Sequence, residues 1–190
     1  KNYYLQNGVA FNREFLSLPS SCYISGYWQS ERYFINQEKL IRRHFTFKSP
    51  LTGINIKIEK KIRATPGAVS LHVRRGDYVS NTNTNSFHGV CSVDYYRTAM
   101  RFIRQKVNSP VYFVFSDDME WVRENLKIDQ EHSFVDHNLG QESFNDMHLM
   151  SLCQHHVIAN SSFSWWGAWL NQNPDKVVIT PKKWFSKDLH

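Results

Sequence analysis

The chain has 190 residues, of which 41% are hydrophobic and 15% aromatic, and it carries a formal net charge of +6 at pH 7. So large an apolar share excludes an intrinsically disordered tail. No apolar run approaches the ~18–20 residues of a membrane-spanning helix, and no charged-then-apolar leader opens the chain, so we expect no signal peptide.

Cysteines and basic residues narrow the function only slightly. Cys22, Cys91 and Cys153 are far apart and form no CxxC motif, so we expect reduced thiols and no disulfide framework. The basic residues that raise the sequence pI to about 9.2 are spread along the chain. Their densest run, 57–63, includes an acid and is typical of a solvated strand or helix face.

The first third of the chain differs in composition from the rest. Residues 1–65 are rich in aromatic and polar side chains, and apolar spacing predicts a short helix over 36–47. Pro66-Gly67 then interrupts the pattern. We predict a mostly helical region over 1–65 and a regular domain over 66–190.

Strands and helices are predicted to alternate from residue 68 onward. Short β-branched apolar runs predict strands over 68–73, 111–115, 133–135, 156–159 and 176–179. Periodic segments, some with Ser or Asp caps, predict helices over 92–107, 117–126, 143–153 and 165–171. This alternation predicts an α/β fold, a parallel sheet covered by helices.

Ligands of such sheets bind at the carboxyl ends of the strands. That rule selects four polar stretches, which are 74–78, 116–118, 136–138 and 160–165. A further polar stretch, 80–86, is typical of an exposed loop.

The segment His72-Val-Arg-Arg-Gly-Asp-Tyr78 is the strongest motif. Guanidinium groups are always charged and bind phosphate oxygens bidentately, and Gly76 permits a close backbone approach. Alternatively, Arg74 and Arg75 pair with surface acids. The Arg-Gly-Asp tripeptide also occurs in adhesion proteins, but its place directly after an apolar strand argues against an exposed tip.

The segment Asn160-Ser-Ser-Phe-Ser-Trp-Trp-Gly-Ala-Trp169 is the second motif. Serine hydroxyls and the backbone N–H groups of a helix start can form an anion cradle. Alternatively, the segment is a Ser-capped helix with three core tryptophans. Asn160 also begins a glycosylation sequon, but its strand-to-helix context argues against that use.

Four more side chains are open to a structural and a functional interpretation. Asp117, Asp118 and Asp146 lie near predicted helix starts, where carboxylates often only cap, and His72 fits a satisfied core histidine. Each is also a candidate to contact a ligand.

Together, His72–Tyr78 and Asn160–Leu170 resemble motifs of the bacterial α-1,2-fucosyltransferase family, glycosyltransferase family 11. Phe115-Ser-Asp-Asp118 and Asp146-Met-His-Leu-Met-Ser151 match the same family. The four motifs have the right order and spacing over roughly residues 20–185.

The resemblance implies GDP-fucose as donor, the 2-hydroxyl of a galactose-type acceptor, inversion, and no metal or other cofactor. It implies a two-lobed GT-B-like enzyme, with 66–190 as the Rossmann-like donor lobe, helices on both sheet faces, and 1–65 as the remainder of the acceptor lobe. The family normally opens with Gly-Leu-Gly-Asn-Gln, which is absent here, and Lys1-Asn2-Tyr3 does not resemble a natural start. We therefore expect the C-terminal part of a longer bacterial enzyme that is cytoplasmic and acts at the periphery of the inner membrane.

By the same resemblance, Arg74 and Arg75 match the pair that holds the diphosphate. Ser162, Phe163 and Ser164 match the segment that hydrogen-bonds the phosphates.

The nucleotide and the acceptor have their own matching positions. Asp146 matches a carboxylate that reads the guanine edge, His72 matches a position beside the guanine, and Asp117 and Asp118 match an acidic pair near the nucleotide. The nearest candidate for a catalytic base is Asp77, which alternatively only orients an arginine, and His88 is a second candidate.

Motifs for other chemistries are missing from the sequence. His155-His156 has no matching ligands, and no Asp-x-Asp occurs to hold a cation on a nucleotide-sugar diphosphate, which leaves the arginines to neutralise the leaving group. No Gly-x-x-x-x-Gly-Lys loop occurs, so a P-loop ATPase is excluded. Two other classes remain as alternatives: a non-catalytic carbohydrate-binding or adhesion module, and a basic nucleic-acid-binding domain, for which no known module is present.

Overall fold

A computed structural model describes residues 2–81 and 86–186, and these fall into two compact units divided between Thr46 and Phe47. Most of the predicted 80–86 loop lies outside the described residues. The division precedes the predicted boundary at 65/66 because the intervening helix contributes Ile62 to the core of the second unit. The assignment of 1–65 to an acceptor lobe stays a prediction.

The first unit contains two short strands that its composition did not reveal. Strands β1 (Asn2–Leu5) and β2 (Cys22–Ser25) pair in parallel. A helical turn at Arg13–Ser17 lies between the two strands. Turns at Glu31–Tyr33 and Ile35–Gln37 follow β2, and then helix α1, Glu38–His44, inside the predicted 36–47 range.

The second unit is built on a five-stranded, all-parallel sheet with the order β5-β4-β3-β6-β7. Its strands are β3 (Ala68–Val73), β4 (Val111–Ser116), β5 (His132–Val135), β6 (His155–Val157) and β7 (Val178–Ile179). The predicted α/β class is confirmed.

Helices cover both faces of this sheet. They are α2 (Ile54–Arg63), α3 (Gly76–Ser80), α4 (Val93–Lys106), α5 (Met119–Asn125), α6 (Phe144–Leu152) and α7 (Ser162–Leu170). The cores show that α4 and α5 pack on one face, whereas α2, α6 and Phe163 of α7 pack on the other. The basic run 57–63 is part of α2.

The central strand β3 is buried along its whole length, which explains its continuous apolar sequence. From β3 the chain forms β4 and β5 on one side and then crosses to β6 and β7 on the other. The topological switch point therefore lies between the carboxyl ends of β3 and β6, where open α/β sheets bind ligands.

The histidine pair at β6 has a structural role. His156 is fully buried, and its Nε2 accepts a hydrogen bond from Asn171 Nδ2 (2.8 Å) while its Nδ1 lies 2.8 Å from Ser70 Oγ. Burial lowers the pKa of His156 to about 3, so the ring is neutral and Nδ1–H donates to the serine. The three cysteines are free thiols.

Candidate functional site

Arg74, just beyond β3, is held by two carboxylates. Its Nη2 lies 2.5 Å from Asp77 Oδ1 and its Nη1 lies 2.9 Å from Asp117 Oδ2. The guanidinium carbon also lies 5.4 Å from the centre of the Tyr78 ring. The Arg74 side chain keeps 32% of its surface exposed, so part of this oriented cation remains open to a ligand.

Arg75 is held more tightly than its neighbour. Its Nε donates to Asp118 Oδ2 at 3.0 Å, and its guanidinium carbon lies 3.8 Å above the centre of the Trp121 ring. The side chain is only 15% exposed. An Arg-Gly-Asp tip for adhesion is therefore not presented here.

Asp117 and Asp118 connect the ends of β3 and β4. Asp117 Oδ1 accepts a hydrogen bond from the Arg75 backbone N–H (2.8 Å), and Asp118 Oδ1 caps α5 through the Trp121 N–H (3.2 Å). A Cβ on Gly76 would overlap the Asp117 carboxylate, so any larger residue at this position has to displace Asp117. Asp118 therefore caps a helix as predicted, and both aspartates also form the ion pairs with Arg74 and Arg75.

The cluster of Arg74, Arg75, Asp77, Asp117 and Asp118 contains one more carboxylate than guanidinium groups. The carboxylates orient the arginines, and an arriving anion has to bind the open edge of Arg74 or displace its most exposed partner. That partner is Asp77, whose side chain is 52% exposed.

His72 lies on the other face of β3 from the apolar residues Leu71 and Val73. It is 5% exposed, its Nδ1 is buried and has no hydrogen-bond partner among the described residues, and its ring centre lies 5.7 Å from that of Phe163. Burial, with Arg74 as a second cause, lowers the pKa of His72 to about 3. The structure therefore brings His72 and Phe163 together, although they lie about ninety positions apart in sequence. The His72 imidazole is neutral, and its Nδ1 is available to a ligand.

Asp146 lies in the first turn of α6, within an amide network. Asn138 Nδ2 donates to Asp146 Oδ1 (2.7 Å), and Asn138 exchanges two hydrogen bonds with Asn55 at the start of α2 (2.8 and 2.9 Å). Burial raises the pKa of Asp146 to about 7, against the effect of the Asn138 hydrogen bond. This carboxyl group faces no described cation, so it is suited to a ligand that donates N–H bonds.

The serines of α7 divide into one exposed and one buried residue. Ser162 is exposed at the helix start, whereas Ser164 is 1% exposed and its Oγ donates to the carbonyls of Ala159 (3.4 Å) and Ser161 (3.2 Å). A phosphate contact by this stretch is therefore open to Ser162 and the first-turn backbone, while the Ser164 hydroxyl is occupied within the fold.

Sequence reasoning missed the role of Asn160. The residue is 3% exposed, and its Nδ2 donates to the carbonyls of His88 (2.9 Å), Gly89 (3.3 Å) and Trp184 (3.2 Å), while its own carbonyl accepts from the Tyr78 hydroxyl (3.2 Å). Glycosylation of this amide is incompatible with its burial. Trp121 and Asn55 were also missed, and no local pattern indicates them.

Within residues 2–81 and 86–186, no three His, Cys, Asp or Glu side chains are arranged to hold a metal ion. No helix in this part of the chain has the length and apolar character needed to cross a membrane.

The model of glycosyl transferase family 11 matches residues 2–190. The chain belongs to this family. The resemblance inferred from the four motifs is thereby confirmed, and the chain is a glycosyltransferase sequence. The part that each predicted site residue plays stays a prediction.

Two bacterial relatives are similar over most of the chain. The chain is 40% identical to an α-1,2-colitosyltransferase of Escherichia coli, covering 90% of the chain and 59% of that protein. It is 38% identical to the O-antigen biosynthesis glycosyltransferase WbnK of E. coli, covering 90% and 58%. The human galactoside α-(1,2)-fucosyltransferase 1 is 29% identical, covering 77% and 42%. The chain thus spans less than two thirds of each relative.

The crystal structure of POFUT1 in complex with GDP has a similar fold. It matches with a TM-score of 0.52 and 14% sequence identity, covering 90% of this chain and 58% of that one. At this identity the similarity concerns the fold alone, and it supports the predicted GT-B-like architecture.

Proposed function

We propose that the unit Phe47–Ser186 binds the donor of an inverting, metal-independent glycosyltransferase that moves L-fucose from GDP-fucose to the 2-hydroxyl of a galactose-type acceptor. The observation that carries the proposal is the pair Arg74 and Arg75, oriented by three aspartates beside the switch point of a parallel sheet. Membership of family 11 supports glycosyl transfer, and similarity to relatives named as α-1,2-transferases supports an α-1,2 linkage.

In this proposal Arg74 binds the diphosphate directly. Its exposed edge provides N–H donors in a planar fork that matches phosphate oxygens, and Ser162 lies at the nearby start of α7. Arg75, stacked on Trp121 and paired with Asp118, contributes a second fixed positive charge. The two guanidinium groups neutralise the charge of the diphosphate leaving group, a role that a divalent cation has in other nucleotide-sugar enzymes.

The guanine base occupies the space near His72, Phe163 and Asp146. His72 Nδ1 is a buried polar atom without a described partner, Phe163 gives an aromatic surface, and Asp146 as a carboxylate accepts from the guanine N–H groups. An adenine or uracil base does not offer that pair of donors, so the arrangement favours GDP.

Transfer takes place in one step. The acceptor oxygen forms a bond to C1 of fucose while the bond from C1 to the β-phosphate oxygen breaks, and GDP leaves with the electron pair. Arg74 and Arg75 stabilise the charge that grows on the diphosphate, which lowers the barrier more than it stabilises the bound donor. The acceptor proton passes to Asp77 or His88, or to solvent after the bond from C1 to GDP has broken.

Calorimetric titration of this chain with GDP in EDTA tests the proposal, with UDP and ADP as controls. Saturable binding of GDP that is much tighter than that of either control is expected. A folded chain that binds none of the three, or all three equally, would contradict donor recognition by this unit.

A second donor is favoured by one observation, the 40% identity to an α-1,2-colitosyltransferase. The complete enzyme should therefore be assayed with GDP-fucose and GDP-colitose in parallel. A higher kcat/KM for GDP-colitose would assign that sugar and leave GDP recognition unchanged.

A further inference from the structure

A pocket lies at the carboxyl ends of β6 and β7, where Asn160 and Pro181 form part of its wall. It is open to solvent and has a volume of about 390 Å³, at the lower end of the ~300–1,000 Å³ usual for small-molecule sites. We call it the β7-side pocket, and its lining includes His88, Cys91, Tyr95, Lys182, Lys183 and Phe185.

The walls of the β7-side pocket are fixed by hydrogen bonds. Asn160 Nδ2 binds the carbonyls of His88 and Trp184 (2.9 and 3.2 Å), joining the segment before α4 to the segment after β7. The Tyr95 hydroxyl donates to the carbonyl of Ile158 (2.6 Å) at the end of β6. The pocket is therefore part of the fold and not a gap between loose loops.

The lining combines aromatic surfaces with positive charge. The rings of Phe185 and His88 lie 5.5 Å apart, and Tyr95 also contributes to the wall. Lys182 and Lys183 are exposed, and neither pairs with a carboxylate among the described residues. None of the described residues that line the pocket is acidic. A saccharide suits aromatic walls with a few polar groups, and the two lysines favour one that carries an anionic group.

The pocket adjoins the proposed reaction centre. The His88 ring stacks on Tyr78 at 4.7 Å, and Tyr78 lies in α3 next to Asp77. Asp77 is close enough to oppose the lowering of the His88 pKa that burial causes. A sugar bound in the pocket therefore lies against His88, whose ring packs on the helix that carries Asp77.

We propose that the β7-side pocket is an acceptor subsite for an anionic saccharide, in which Lys182 and Lys183 bind a phosphate or carboxylate on a sugar linked to the galactose-type unit. The inference rests on the proposed function, because it takes the transferase acceptor as the ligand. On this inference the unit Phe47–Ser186 contributes to acceptor binding as well as to donor binding. Asn160 positions the pocket, because its amide holds both the His88 and the Trp184 segments.

The test is an NMR titration of the isotope-labelled chain with lactose, lactose 1-phosphate and a galactosyl-glucuronic acid disaccharide. These probes share a terminal galactose and differ in charge. The proteins are the unmodified chain, a Lys182→Ala/Lys183→Ala variant, a Lys182→Arg/Lys183→Arg variant that keeps the charge, and Lys57→Ala as control. Lys57 is an exposed lysine of α2, away from the pocket lining.

We expect the anionic probes to bind more tightly than lactose and to shift the resonances of the pocket lining. The alanine variant should weaken their binding about tenfold, as two solvent-exposed charge contacts would, while lactose binding, the arginine variant and the control stay unchanged. A preference for only one anionic probe would distinguish phosphate from carboxylate.

Equal affinity for lactose and both anionic probes, or unchanged anion binding in the alanine variant, would overturn the inference. GDP titration of the same samples separates the two proposals. Retained GDP binding with no charge-dependent saccharide binding rejects the subsite alone, whereas absent GDP binding rejects the donor proposal whatever the saccharides do.

Discussion

At the scale of single residues, the two adjacent arginines have different environments. Arg74 keeps an exposed edge between Asp77 and Asp117, whereas Arg75 lies over Trp121 and is 15% exposed. We therefore propose that Arg74 contacts the phosphates directly and that Arg75 mainly positions the strand end.

Substitution of these arginines tests that distinction in the complete enzyme. Arg74→Ala should lower kcat by about 10²–10³, the usual cost of removing one donor to a developing anion. Arg74→Lys should also be strongly impaired, because a point charge lacks the planar fork. Arg97→Ala, which removes an exposed arginine of α4, is the control and should be neutral. Near-normal turnover of Arg74→Ala in a steady-state assay would reject direct contact with the diphosphate.

The raised pKa of Asp146 makes stability depend on pH. The folded-state pKa is about 7 against an ordinary 3.8, so between these values the folded chain binds more protons than the unfolded chain. Stability from this group is therefore full below pH 4 and is lost as pH rises to about 7, by on the order of 2–4 kcal/mol for a shift of this size.

Urea unfolding of the chain and of Asp146→Asn at pH 5 and pH 8 measures this effect. The variant keeps the hydrogen bond from Asn138 but cannot ionise, so it should gain more stability over the unmodified chain at pH 8 than at pH 5, where only part of the effect is present. His72 and His156 have lowered pKa values, which favour folding at higher pH and so oppose the effect of Asp146. Both proteins contain these histidines, so their contribution cancels when the two free energies of unfolding are subtracted. An identical pH dependence in both proteins would show that Asp146 is not the group responsible.

At the scale of elements, the start of α3 depends on the fit between Gly76 and Asp117. A Cβ at position 76 would overlap the Asp117 carboxylate, which binds both Arg74 Nη1 and the Arg75 N–H. Gly76→Ala should therefore displace Asp117 and weaken GDP binding by about tenfold or more, the scale on which coupled neighbours interact.

A double-mutant cycle with Asp117→Ala checks this cause by calorimetry. If Gly76→Ala acts through Asp117, it should add little to the loss already present in Asp117→Ala. Val79→Ala, an exposed position of the same helix, is the control. Fully additive losses would mean that the glycine is needed for another reason.

The elements also show what the sequence could predict. The strands β3 and β4 follow directly from apolar runs that are buried on both faces. The prediction for β6 over 156–159 was shifted, because the strand is His155–Val157. A histidine is unexpected inside a sheet, and His156 is accommodated only through the distant partners Ser70 and Asn171.

For the candidate site, too, local sequence predicts only part of what the structure shows. Two local motifs indicated Arg74 and Ser162 because each motif is continuous in sequence. The contacts that orient the site, such as Trp121 beneath Arg75 and Asn160 between two loops, join residues 24 to 72 positions apart. Trp121 belongs to no motif, and the motif that begins at Asn160 does not indicate that its side-chain amide joins two loops.

At the scale of the whole molecule, the two units differ in how much apolar surface they bury. Both core clusters, the complete five-stranded sheet and every candidate site residue belong to Phe47–Ser186. Among the described residues before Phe47, no hydrophobic side chain is buried. The one buried residue there is the polar Gln6, which is 8% exposed. A two-stranded pairing such as β1 with β2 is marginal without a core.

We therefore expect residues 47–186, produced alone, to fold and to bind GDP as the whole chain does. Because burial of apolar surface drives folding, their urea denaturation should be a single cooperative transition with a free energy in the ~5–15 kcal/mol range of ordinary domains. Residues 2–46 alone should show no such transition by circular dichroism. A cooperative transition in 2–46, or a non-cooperative one in 47–186, would mean that the stability of the chain is not located in the parallel sheet and its two cores.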